Sequence, residues 1–212
     1  MKPSKADYLH YLITDRKVQR NRSVELQVEQ ALLGGVRIVQ IREKELSTRL
    51  FLEEVRRVLP LTRKNGAFLL VNDRIDVALA AGADGVHLGQ EDMPVVEARR
   101  LLGPRALIGV SVSNVDEALE AEAGGGDYLA VNGVFPTSTK GDLTSLPGLE
   151  GVAEIRRSTR LPLLGIGGIT LENCRLVLEA GADGVAVVSA LTTAQDLPAT
   201  CRRFFTTLKG KT

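Results

Sequence analysis

Arg42 and Lys44 lie two residues apart in "VQIREK" (Val39 to Lys44), and Lys140 closes "FPTSTK", directly after the hydroxyls of Thr137, Ser138 and Thr139. A guanidinium offers a fork to phosphate oxygens and an ammonium a point charge. Taken singly, each cation reads better as a surface ion pair with Glu43, Glu45, Asp92 or Asp142. Taken together, they favour an anionic ligand. Two carboxylates, Asp73 and Asp92, follow short apolar runs; such a pair suits Mg²⁺, which keeps waters and shares phosphate oxygens. Alternatively each caps a helix, since Asp73 precedes "RIDVALAA" and Asp92 precedes "MPVVEARR". The glycines of "GIGGIT" (Gly165 to Thr170), with "VVSALT", offer backbone N–H groups to a second phosphate at a helix N-terminus. On glycine alone, a tight turn explains them as well. Two anionic small substrates and Mg²⁺ point to a transfer with a diphosphate leaving group.

These groups need a scaffold that brings distant segments to one place, and the chain carries its signature. "AAGADGVHLG" (Ala80 to Gly89) returns half a chain later as "EAGADGVAVV" (Glu179 to Val188), with weaker echoes in "LLGGVRIVQI" and "AGGGDYLAVN". Each is a helical pattern ending in Gly, followed by a short β-branched run. Strands are expected at Tyr8–Thr14, Ile38–Arg42, Phe68–Asn72, Gly85–Leu88, Leu107–Ser111, Tyr128–Val134, Leu163–Ile166 and Gly184–Val188. Amphipathic stretches such as "VELQVEQALLGG", "VDEALEAEAGG" and "LENCRLVLEAGA" lie between them. The alternation predicts an α/β chain folded as a single (β/α)₈ TIM barrel over 1–212, with 1–6 as an N-terminal extension. The half-chain repeat, and the lack of GxGxxG after the first strand, favour the barrel over an open doubly wound sheet. In a barrel, the polar groups at the strand ends share one rim: Thr14 and Asp15; Gln40, Arg42, Glu43 and Lys44; Asn72 and Asp73; Gln90, Glu91 and Asp92; Ser111; then "TSTK", "GIGG" and Val188-Ser189.

Composition narrows the classes. Lys plus Arg is 27 and Asp plus Glu is 26, a net charge of +1, without the basic excess of a nucleic-acid binder. Trp is absent and aromatics are few. No apolar run reaches the roughly 18 residues of a membrane span, and the start shows no signal-peptide pattern. Cys174 and Cys201 read as buried, reduced thiols rather than a zinc site. The expectation is a cytoplasmic protein acting on small molecules, without nucleic-acid or membrane partners; a homo-oligomer is left open. Of the two histidines, His10 reads as packing or solvent-facing and His87 as a buried, hydrogen-bonded structural residue.

The motifs "VQIREK", "LVNDRIDVALAAGADGVHLGQEDMP" (Leu70 to Pro94), "IGVSVS" (Ile108 to Ser113), "VFPTSTK" (Val134 to Lys140), "GIGGIT" and "GADGVAVVSAL" (Gly181 to Leu191) resemble thiamine phosphate synthases. The likeness covers nearly the whole chain, in order and spacing; the long central motif is the specific one. It implies a barrel that joins hydroxymethylpyrimidine diphosphate to a thiazole phosphate, often its carboxylated form, releasing pyrophosphate. It also implies dissociative, Mg²⁺-assisted substitution with no side-chain nucleophile. Gln40, Arg42, Lys44, Asn72, Ser111 and Lys140 would hold the pyrimidine diphosphate, with Arg42, Lys44, Lys140 and Ser111 serving the chemistry. Thr137, Ser138, Thr139, Gly168, Val188 and Ser189 would contact the thiazole phosphate, and Asp73 and Asp92 would bind Mg²⁺. Two departures stand out: Asn132-Gly133 where relatives commonly read Gly-Pro, and Val112-Ser113-Asn114 where many read Ala-His-Thr. The rival readings are a thiazole tautomerase and a non-catalytic sensor of thiamine precursors on the same barrel. Mg²⁺-dependent pyrophosphate release is expected only of the synthase.

Overall fold

Several helices start where a short polar side chain replaces a missing backbone partner. Ser23 and Ser47 accept from Leu26 N and Leu50 N at 3.2 and 3.4 Å. Asn114 accepts from Glu117 N at 2.9 Å, and Asp196 from Ala199 N at 2.8 Å. Each satisfies one orphan N–H of a first turn. The structure, a computed structural model, describes residues 2–18, 22–137 and 146–210. Its helices are α1 (Val24–Leu33), α2 (Thr48–Lys64), α3 (Ile75–Ala81), α4 (Val95–Leu102), α5 (Val115–Ala123), α6 (Gly148–Ser158), α7 (Cys174–Glu179), α8 (Ser189–Thr192) and α9 (Leu197–Lys209).

Between them run parallel strands β1 (His10–Ile13), β2 (Ile38–Ile41), β3 (Phe68–Asn72), β4 (Gly85–Leu88), β5 (Leu107–Val112), β6 (Tyr128–Val131), β7 (Leu163–Ile166) and β8 (Gly184–Val187). They pair in chain order, and β8 closes on β1 through His10↔Val185 and Leu12↔Val187. The predicted (β/α)₈ barrel is the fold. Strand periodicity sorts the apolar residues into two layers. Leu12, Val39, Leu69, Val86, Ile108, Leu129, Leu163 and Val185 face the helices. Tyr11, Ile38, Leu70, Leu107, Tyr128, Leu164 and Ala186 fill the barrel interior.

Several strand ends differ from expectation. β1 begins at His10, because Tyr8 belongs to a short 3-10 turn, Lys5–Tyr8, whose buried ring plugs the barrel base 5.4 Å from Tyr128. β6 stops at Val131, because Gly133 takes a left-handed φ of 70° and interrupts the extended conformation, although Val134 N still reaches Ile166 O at 3.1 Å. β5 runs one residue further than expected, to Val112, while β1, β2 and β8 stop one residue earlier, at Ile13, Ile41 and Val187. His10 packs inside, stacked on Phe204 at 5.2 Å, and burial pushes its imidazole down to about 4. Cys174 and Cys201 are free and buried, and burial raises the Cys201 thiol to about 12.

The repeat has a physical cause at the N-terminal ends of the strands. Asp84, Asp127 and Asp183 each precede an even-numbered strand and accept an N–H from the first or second residue of the strand before it. The partners are Leu69 N at 2.8 Å, Ile108 N at 2.8 Å and Leu163 N at 3.0 Å. An arginine backs two of them: Arg99 on α4 reaches Asp127 at 2.6 Å, and Arg156 on α6 reaches Asp183 at 3.1 Å. Lys2 and Lys5, from the stretch read as an extension, pair with the same two aspartates. Before β2 the motif is altered: Arg37 stands there and pairs with Asp7 at 3.5 Å.

Candidate active site

The opposite ends of the strands surround one cavity of about 450 Å³. Parity explains its floor. Ile38 and Leu70 point inward, so Gln40 and Asn72, two residues on, do too. By the same rule His87 follows Gly85 and Ser111 follows Gly109. All four polar side chains are buried and line the cavity. Gln90 supports the floor by donating from Nε2 to Ser111 O at 2.6 Å.

Arg42 and Lys44 stand on the wall, and their partners are not the acids expected of a surface pair. Glu43 goes to Arg16 at 2.7 Å and Glu45 to Lys17 at 2.7 Å. Arg42 Nη1 meets Asp15 at 2.7 Å, and the Lys44 ammonium pairs with Asp73. Asp15 and Asp73 themselves line the cavity, so both cations are held at its surface by acids of the same rim. Asp15, given no role on sequence grounds, is thus the group that aims Arg42. Its own carboxylate is fixed by Lys17 N at 2.8 Å.

Neither Asp73 nor Asp92 caps a helix. The N-terminal positions of α3 and α4 are Arg74 and Pro94, and neither helix has a side-chain cap. Asp92 instead accepts from Gly89 N at 2.7 Å, tying its own loop to the end of β4. Asp73 alone among the described non-glycine residues has positive φ, at 60°. That conformation costs free energy in a residue with a side chain, and such strain gathers at functional sites. Burial pushes the Asp92 carboxyl above the usual carboxylate range. The Gly89 N–H draws it back, and neighbouring Asp73 pushes it up further. Two acids forced together in this way fit a divalent cation. No cluster of three or more His, Cys, Asp or Glu is placed to hold a metal among the described residues. A metal here would therefore take its remaining ligands from water and phosphate, the habit of Mg²⁺.

The other wall carries Thr137, Gly168, Val188 and Ser189, all lining the same cavity. Gly168 has φ 60°, and a Cβ on it would lie 2.5 Å from Pro136 O and 2.8 Å from Phe135 Cβ. The glycine therefore permits close approach to the segment that leads into "TSTK". Ser138, Thr139 and Lys140 lie outside the described residues. α7 opens at Cys174, later than "GIGGIT" suggests. Asn173 captures the intervening turn, accepting from Thr170 N and donating to Gly168 O, both at 2.8 Å. The helix that starts directly at the wall is instead α8, at Ser189.

The two departures from the family pattern also border the cavity, through Asn132, Gly133 and Ser113. Asn114 has a local explanation. With Glu117, which accepts from Ser113 N at 2.7 Å, it forms the capping arrangement of α5. His87 is buried and doubly hydrogen-bonded, to Tyr128 OH at 2.8 Å and Ser111 Oγ at 3.0 Å.

Comparison with known proteins places this geometry. The family model described as thiamine monophosphate synthase matches residues 10–191. The thiamine-phosphate synthase of Clostridium acetobutylicum is 46% identical over 203 residues, covering 96% of both chains. That of Chloroflexus aurantiacus is 49% identical over 197 residues, covering 93% of this chain and 91% of its own. The solved thiamine phosphate pyrophosphorylase of Pyrococcus furiosus superposes with a TM-score of 0.88 at 40% identity, covering 97% of each chain. With most of its length matched in sequence and in fold, and the described rim residues gathered at one cavity, the chain belongs to the thiamine monophosphate synthase family.

Proposed function

We propose that this chain is a transferase joining 4-amino-2-methyl-5-(diphosphooxymethyl)pyrimidine to a thiazole phosphate. The products are thiamine phosphate and pyrophosphate, with CO₂ also lost when the thiazole is carboxylated. Gln40, Asn72 and Ser111 hold the pyrimidine ring on the floor. Arg42, Lys44 and Lys140 take the diphosphate. Thr137, Ser138, Thr139, Gly168, Val188 and Ser189 take the thiazole phosphate opposite.

The pyrimidine CH₂–O bond breaks first, and its electron pair leaves with the pyrophosphate. The aminopyrimidine stabilises the resulting carbocation, and the thiazole nitrogen then supplies the pair that closes the new C–N bond. No side-chain nucleophile is needed. The wall residues stabilise charge as it develops on the leaving group, which is where fixed cations lower a barrier most. The floor and the opposite wall hold the two rings in line. Asp73 and Asp92 would hold Mg²⁺, which would supply further neutralisation of the diphosphate. Substrate phosphates would take over Arg42 and Lys44 from Asp15 and Asp73.

The observation that carries this reading is the meeting of two anion-type walls, one with paired acids and one without, across one polar floor. Two free buried thiols support a cytoplasmic setting, and no described helix is long and apolar enough to cross a membrane. The decisive experiment is pyrophosphate release by purified protein given both precursors, with and without Mg²⁺. Release is expected only with both precursors and the metal. No release, with the thiazole phosphate still bound, would return the chain to the tautomerase or sensor reading.

A further inference from the structure

A line of buried hydrogen bonds crosses the barrel beneath the cavity floor. Gln40 Nε2 donates to Tyr11 OH at 2.8 Å. Tyr11 OH meets Tyr128 OH at 3.0 Å. Tyr128 OH meets His87 Nδ1 at 2.8 Å, and His87 Nε2 meets Ser111 Oγ at 3.0 Å. Every member is buried. Space for the central ring comes from Gly109, where a Cβ would sit 2.0 Å from the Tyr128 ring. The line therefore joins three floor residues, Gln40 of β2, His87 of β4 and Ser111 of β5, through two phenols that do not themselves line the cavity, Tyr11 and Tyr128.

We infer that Tyr11 and Tyr128 are positioning residues that impose one direction on this line, so that Gln40 presents an acceptor and Ser111 a donor to the ligand. An amide NH₂ only donates, so Tyr11 OH accepts from Gln40 and passes its own proton to Tyr128. Tyr128 then gives its proton to His87 Nδ1. An imidazole accepting at Nδ1 carries its proton on Nε2, which donates to Ser111 Oγ. The Ser111 hydroxyl proton is left to point into the cavity, and Gln40 keeps its carbonyl oxygen for the ligand. Burial raises both phenols above their ordinary range, so each keeps the one proton this scheme requires. Asn72 Nδ2, buried without a protein partner among the described residues, adds a second donor. An acceptor facing two donors suits a ring that carries an amino group beside bare ring nitrogens. Turning the Gln40 amide over would reverse every bond and present the opposite pattern. The inference rests on the reading that Gln40 and Ser111 hold the pyrimidine.

The chain has just two histidines, so ¹⁵N spectra of the imidazoles in the full-length, ligand-free protein can be assigned with a His10→Phe variant. The expected result is His87 protonated at Nε2 and bare at Nδ1. A proton on Nδ1, alone or with Nε2, overturns the assigned direction. Tyr128→Phe should abolish the single tautomer. Tyr11→Phe and Tyr128→Phe should each lower kcat/KM for the pyrimidine diphosphate roughly tenfold, the effect of one unmet buried hydrogen bond. KM for the thiazole phosphate should hold. Unchanged kcat/KM, or an equal loss towards both substrates, overturns the positioning role. Should Tyr128→Phe fail to fold, the wild-type spectrum and Tyr11→Phe still decide. Absence of pyrophosphate release in the wild type would remove the proposed reaction, whereas the spectrum would still report the direction of the line.

Discussion

Aspartates occupy both ends of this barrel, and they do opposite things. At the base, Asp84, Asp127 and Asp183 each accept a main-chain N–H, and the last two also hold an arginine and a lysine. At the rim, Asp73 sits in a strained backbone conformation beside Asp92, whose charged form is disfavoured. The base acids are at rest in the folded protein. The rim acids crowd each other, and the Lys44 ammonium pairs with Asp73. The same residue type, on the same scaffold, meets only donors and cations at the base, whereas at the rim one acid confronts another.

The contrast can be broken in several ways. The largest effect should come from Arg42→Ala, which removes a fork from the leaving-group wall. The rate of pyrophosphate release should fall by about a thousandfold, while the urea midpoint changes little. A large stability loss with normal turnover would place Arg42 with the base set. Next, Asp127→Ala should leave Arg99 and Ile108 N without their partner and cost about 3 kcal/mol, or about 10 °C in Tm. Activity per folded molecule should persist; an undiminished Tm would mean the base carboxylates are ornamental.

The base also carries an acid sensitivity through His10. Its imidazole takes a proton near 6.5 when unfolded but only near 4 when folded. Between those values the unfolded chain binds the extra proton, so stability falls as pH falls. From pH 7 to pH 5 the loss from this group is about 2 kcal/mol. The difference between wild type and His10→Phe, followed by urea melts across that range, should show it; parallel curves would dismiss it. The smallest effect separates the two ends most cleanly. Asp92→Asn keeps an acceptor for Gly89 N but removes the charge beside Asp73, so the metal-free protein should melt slightly higher. Its Mg²⁺ requirement for pyrophosphate release should shift to higher concentration. A lower Tm would make Asp92 a base-type residue, and an unchanged Mg²⁺ titration would remove it from the metal set.

Much of this was readable from the chain, for physical reasons that also mark where reading stopped. The alternation of helical patterns with short apolar runs, sharpened where a helix ends in Gly, located every strand to within three residues at either end. Their polar ends put Gln40, Asn72 and Ser111 on one rim, and parity within the closed barrel turns them to its floor. Tyr8 escaped because a buried plug and a strand residue present the same apolar signature. The start of α7 escaped because Asn173 binds its own turn, a competition that helical periodicity does not register. Whether Asp73 and Asp92 were caps or ligands hinged on which N–H each could reach. Asp15 showed only as a polar strand end, and its partner Arg42 comes from the next strand. Tyr11 and Tyr128 read as core, and their hydroxyls acquired meaning only when the ring closed and brought β1, β2, β4, β5 and β6 into one section.

The base aspartates have a consequence for how the chain reaches this fold. Their clasps join residues only 15, 19 and 20 positions apart, and each locks one strand to the next. Loops of that length close at modest entropic cost. Strand pairs β3–β4, β5–β6 and β7–β8 can therefore be fastened as they are made, in the order of synthesis. The seam between β8 and β1 joins the most distant parts of the chain and lacks such a clasp among the described residues. Assembly would then run as successive two-strand units, with the ring sealing last, under the Tyr8 plug that only the finished barrel can hold.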